Sequence, residues 1–118
     1  MEKQAELNLD FLNEFCRGDK KKMAAYMNTF LESFPEQIQL IQLAASDGKS
    51  TELNILLHSL KPQVIFVGLT SVQALIEKIE LESVQESAPQ NIPILISHLE
   101  GAAERSIDAI KHTLVTLT

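Results

Sequence analysis

The stretch LLHSLKPQVIFVG, Leu56–Gly68, decides how this chain is read. Apolar residues recur through it at helical spacing, yet an ionisable ring, His58, and a helix breaker, Pro62, stand in the middle. With successive residues placed about 100° apart, Leu53, Leu56, Leu57, Leu60, Val64 and Val67 fall within roughly 60° of one direction. That stripe is the core side of an amphipathic helix. His58 falls about 160° away, with Asn54, Lys61, Pro62 and Ile65 beside it, so the imidazole faces water. Lys61, at i+3, is within reach of an anion attached to the ring. Ile55, Ile65 and Leu69 add apolar residues to the outer face, where a solvated helix carries polar ones, and this marks a partner surface. Pro62 has no N–H to offer the carbonyl of His58, a defect worth about 3 kcal/mol in a model helix, and a bend beside the ring follows.

Working outward, Ser50 is read as the N-cap of this helix and Gly68 as its end. Upstream, Asp10 is read as the cap of a short leading helix, with Phe11, Leu12 and Phe15 on one face and Gly18 as its stop. Asp19 then caps a helix from Lys20 to about Ala45, along which Met23, Met27, Phe30, Leu31, Phe34, Ile38 and Ile41 keep helical spacing. Pro35 and the S-x-x-E pattern Ser33–Glu36 allow a kink or a restart; with no polar loop between the halves, one long kinked helix is expected, ending at Asp47-Gly48. Downstream, Thr70 and Gln73 form a T-x-x-Q cap for a helix carrying Val72, Leu75, Ile76 and Ile79. A polar stretch from about Ser83 to Gln90 follows. Asn91 opens a last helix, with Pro93 in its first turn, that reaches nearly to Leu117.

No hairpin signal, internal repeat or domain linker occurs. The expected architecture is all-α: an antiparallel four-helix bundle with a short additional N-terminal helix, in one domain spanning residues 1–118. Composition agrees, since 45% of the 118 residues are apolar and 22% charged, Trp is absent, and Leu, Ile, Val and Ala must build the core.

Charge and cysteine usage narrow the function. A net charge of −6, offset only by the cluster Arg17, Lys20, Lys21 and Lys22, argues against a nucleic-acid partner. No apolar run approaches the ~20 residues of a membrane span, and no basic segment followed by an apolar stretch signals export. The lone Cys16 is read as a small core residue, and a cytoplasmic location is expected.

The pattern His58-x-Leu60-Lys61, Gly68 ten residues after the histidine, Leu75 in the next helix and Ile79-Glu80 near its end resembles the histidine-containing phosphotransfer (HPt) domain. The family signature reads approximately H-x-L-K-G, then a turn with Gly, then a helix ending in Leu-Glu. The likeness in element order covers nearly the whole chain, and the specific motif covers Leu53 to Glu80. Pro62 departs from it, standing where the family usually has Gly, and Leu57 stands where Ala often precedes the histidine.

The resemblance implies a bacterial phosphorelay carrier in which His58 takes a phosphoryl group from a receiver-domain aspartate or a sensor histidine kinase and passes it on. Lys61 would offset the phosphoryl charge as a compact cation. Asn54, Ile55, Pro62, Gln63, Ile65, Gly68 and Leu69 are the expected partner-binding residues. No acidic cluster is visible near His58 in the sequence, so no metal and no cofactor is expected on this chain. Mg²⁺ would come with the receiver. The carrier would be a monomer without kinase activity of its own.

Other chemistries find less support. Neither a Walker-type nor a kinase-type glycine-rich loop occurs. Glu100, Glu104, Asp108 and His112 recur at i+4 and could be read as a metal-binding stripe, but no E-x-x-H pair completes a di-metal site, and they are taken as a solvated face, as is His98. A docking module that holds a receiver without being phosphorylated shares the fold and the patch.

Overall fold

The computed structural model describes residues 7–83 and 91–117, and they form five helices: α1 (Asp10–Phe15), α2 (Lys20–Ser46), α3 (Ser50–Val67), α4 (Thr70–Ser83) and α5 (Asn91–Leu117). The polar stretch around Pro89 lies outside the described residues. Helices α2 to α5 make the bundle. α2 packs on α3 and α5, α4 packs on the same two, and the diagonal pairs do not meet, so the four form a square with alternating directions. α1 lies across α2 and α3 at one end. The long dimension of 46 Å matches helices of 27 residues at about 1.5 Å per residue.

Most of the core follows the periodicity, with Leu31, Leu56 and Leu75 half-buried at its edge. Met23, Met27, Phe30, Phe34, Ile38 and Ile41 of α2, Leu53, Leu57, Leu60, Val64 and Val67 of α3, and Val72, Ile76 and Ile79 of α4 are all buried. Cys16 joins them. α5 contributes Leu95, Ile96, Leu99, Ala102, Ala103 and Ile110. Phe30 and Phe34 stack within this core, ring centres 4.6 Å apart.

Both interior prolines are carried inside unbroken helices. At Pro35 the restart pattern is not used: the Ser33 hydroxyl accepts a hydrogen bond from the Gln37 side chain, 3.1 Å away. Helix ends follow the sequence less closely. Asp19 does cap α2, accepting from the Lys22 N–H at 3.1 Å. Asp10, by contrast, is the first residue of α1, and Asn8 holds its N–H from outside through Oδ1 at 3.0 Å. Ser50 likewise opens α3 as a helical residue, the preceding Lys49 making no side-chain capping bond. The Gln73 side chain donates to Glu77 one turn further on, at 3.2 Å.

The α3–α4 turn determines what stands at the end of the ten-residue spacing from His58 to Gly68. Gly68 sits at φ +79°, a left-handed conformation that glycine adopts without strain, and it closes α3 by donating to Val64 and Ile65. Its carbonyl accepts from the Asn8 N–H at 2.8 Å. The Asn8 backbone lies where a β-carbon on Gly68 would have to be. The turn is therefore covered by the segment leading into α1.

Candidate functional site

His58 stands on the solvent side of α3, one turn before Pro62, with its side chain 86% exposed. The stripe Leu53, Leu57, Leu60 and Val64 is buried on the opposite side, which fixes the ring's outward direction. The Nδ1 nitrogen is turned towards α4, 3.9 Å from Oε2 of Glu80. The far ring nitrogen, Nε2, is thus the one presented to solvent.

Lys61 crosses from α3 to α4. Its Nζ donates to Oε1 of Glu80 at 3.1 Å and lies 3.9 Å from Oε2 of Glu77. One carboxylate, that of Glu80, therefore faces both the imidazole and the ammonium. No acidic cluster is legible near His58 in the sequence, yet the fold brings two carboxylates there, because α4 lies alongside α3. Both are turned to Lys61. Among the described residues no group of three His, Cys, Asp or Glu side chains converges as a metal site requires, and Glu104, Asp108 and His112 lie exposed along α5.

Beside the ring runs a shallow, mainly apolar groove of about 340 Å³ lined by Phe11, His58, Lys61, Pro62, Ile65 and Phe66. Pro62 and Phe66 also border a second groove, shared with Tyr26, Phe30 and Gln63, where α3 meets α2. Four of the chain's six aromatic residues gather at this surface: Phe66 packs edge-on against Phe11, Phe15 and Tyr26, at centroid distances of 5.8, 5.1 and 5.1 Å. Phe11, Phe15 and Tyr26 nonetheless stay 54%, 56% and 42% exposed. Rings that touch one another and still face water form an apolar surface of the kind that partners cover.

The residues expected at the partner surface separate into two groups. His58, Lys61, Pro62 and Ile65 line one groove, and Ile55 is exposed on the same side of α3. The others have internal work. Asn54 is half-buried and accepts from the Ser83 hydroxyl at 2.6 Å, tying α3 to the end of α4. Gln63 exchanges amide hydrogen bonds with Gln37 across the α2–α3 contact, at 3.2 and 3.3 Å. Gly68 lies under the Asn8 backbone. Leu69 is 1% exposed and belongs to the core. The helical wheel assigned Leu69 to the outer face only by continuing α3 past its end; the left-handed Gly68 turns the chain and sends the next side chain inward.

The periodicity of one helix could not find Glu80, which acts on Lys61 from another helix 19 positions away. Its place in the Ile79-Glu80 ending was the available signal. For the aromatic tract the signal was Phe11 and Phe15, one turn apart on a helix too short to bury two such rings.

No family model matches the chain, and no curated protein is significantly similar to it. Among solved structures it is similar to the crystal structure of the HPt domain from the Hpt sensor hybrid histidine kinase of Shewanella, with a TM-score of 0.81, 20% sequence identity and 97% of each chain covered. The chain has the HPt helical-bundle fold.

Proposed function

We propose that this protein is a phosphorelay carrier, with His58 as the residue phosphorylated. The observation that carries the reading is an imidazole held outward in mid-helix, 86% exposed, beside a lysine and an apolar groove, on a chain with the HPt fold. An imidazole is a competent nitrogen nucleophile near neutral pH. The Nε2 lone pair attacks the phosphorus of an aspartyl phosphate on a receiver domain. As the N–P bond forms, the P–O bond to aspartate breaks and its electron pair leaves with the carboxylate. The return step is the reverse, an aspartate oxygen attacking phosphorus and the pair coming back to Nε2.

Phosphoryl transfer needs positioning and charge stabilisation more than covalent help from the protein. Lys61 supplies a cation one helical turn from the ring. The receiver supplies Mg²⁺ through its own carboxylates, and the chain is a carrier without autonomous kinase activity. Receiver domains and a sensor histidine kinase are the partners on this reading, met by a cytoplasmic monomer. The receiver docks over the groove of Phe11, Pro62, Ile65 and Phe66, where Pro62, like the family's glycine, keeps a long side chain away from the ring. No helix among the described residues is long and apolar enough to cross a membrane.

The test is transfer of radiolabel from phosphorylated receivers and sensor kinases of the same organism to the wild type and to His58→Gln. Label that appears on the wild type, resists alkali, is lost in acid and is absent from His58→Gln is the expected result. A partner that binds but labels neither protein would make the chain a docking module instead.

A further inference from the structure

Resting on that reading, we propose that the main-chain carbonyl of His58, released by Pro62, is a docking acceptor that selects receivers carrying a hydrogen-bond donor opposite it. In an α-helix this oxygen accepts from the N–H four residues on, and Pro62 has none, although α3 continues through it. The N–H groups on either side are committed, since helical pairing gives that of Lys61 to Leu57 and that of Gln63 to Ser59. The Gln63 side chain reaches back as well, but to the Ser59 carbonyl, 3.2 Å away. Among the described residues no side-chain donor is directed at the His58 oxygen. Helix carbonyls point towards the C-terminal end, so this one points at Pro62, and both Pro62 and His58 are exposed on the outer side of α3.

A receiver cannot reach the ring without covering this atom. Transfer brings phosphorus to about 3–3.5 Å from Nε2, and one turn of helix is about 5.4 Å, so the receiver's surface extends over Pro62. The proline lines the groove beside the ring on one side and the α2–α3 groove on the other, which puts it inside any footprint that spans the two. An exposed carbonyl in the free chain is met by water. Docking strips that water, and an oxygen left unmet under the partner costs more than a paired one contributes. A receiver with an N–H or ammonium over Pro62 keeps its affinity. One that presents an apolar or acidic group there loses it, so the discrimination lies in what a wrong partner leaves unpaired.

The experiment separates the carbonyl from the proline ring. Pro62→Ala removes the ring and restores the N–H, which engages the His58 oxygen inside the helix. Lactic acid at position 62, introduced into the full chain by suppression, keeps the alanine side chain but puts an ester oxygen in place of the N–H, releasing the carbonyl again. Calorimetric titration is done with the receiver of the same organism that binds the wild type most tightly. Its Kd rises roughly tenfold with Pro62→Ala, and the ester chain recovers most of the loss although it melts below Pro62→Ala. Pro35 lines neither groove, and Pro35→Ala, which restores the missing N–H of α2, raises the melting temperature and leaves Kd unchanged. An unchanged Kd in Pro62→Ala would leave the carbonyl idle, and equally weak binding by the alanine and ester chains would assign the effect to the ring; either overturns the proposal, as does a wild type that binds no receiver. A wild type that binds one and takes label from neither that receiver nor phosphoramidate, a small donor that needs no docking, overturns the carrier reading and not the acceptor.

Discussion

At the scale of single residues, the chain separates positions that look alike on paper. Gly48 and Gly68 both have positive φ, +69° and +79°, and both end a helix. A β-carbon at Gly48 would meet open space, whereas one at Gly68 would collide with the Asn8 backbone. Gly48→Ala is expected to cost about 1 kcal/mol, the strain of a left-handed alanine. Gly68→Ala must also displace the segment entering α1, and about 2–4 kcal/mol is expected. Denaturant titration of the two variants checks the difference; equal losses would mean that Asn8 moves aside freely. The same contrast explains why the spacing from His58 to Gly68 was readable and its use was not. Sequence shows that a glycine is there, and only the fold shows that another backbone lies on it.

At the scale of the element, the buried stripe of each helix was legible and the capping was legible in part. Burial of a stripe is decided by 3.6-residue periodicity, a property of the helix alone. A cap depends on where the chain comes from, and one residue of shift changes which side chain can reach the free N–H groups. Asp19 makes its capping bond, while Asp10 has become the residue capped by Asn8. Asp19→Ala is therefore expected to lower stability by about 1 kcal/mol, and Asp10→Ala by less than about 0.5 kcal/mol. Thermal melts of both would reveal the order, and a larger loss at Asp10 would contradict the observed caps. Pro35 and Pro62 teach a related point: the missing hydrogen bond of each is tolerated because the flanking turns are held by Phe34 and Ile38, and by Leu60 and Val64, all buried.

At the scale of the molecule, short connections force α2, α3 and α4 to alternate, and closing the square with α5 brings the Glu80 side of α4 against the His58 side of α3. α1 then spreads Phe11 and Phe15 over Phe66, extending the groove beside the ring into an aromatic surface. If the chain carries phosphate as proposed, Phe15→Ala is expected to weaken receiver binding by about 1–2 kcal/mol, as truncation of an exposed aromatic contact does, with little change in melting temperature because the ring is 56% exposed. Calorimetric titration with a receiver domain measures it, and unchanged affinity would remove α1 from the interface. The sequence by itself determined the all-helical class, the core stripes, and the outward direction of His58 with Lys61 one turn on, since all of these follow from local periodicity. Tertiary structure alone decided that Glu80 meets both of those side chains, that Gln63 and Asn54 spend their polar groups on neighbouring helices, and that Leu69 is buried. Each of those facts depends on a second helix or on the turn at Gly68, and the spacing within one helix carries no information about what lies across from it.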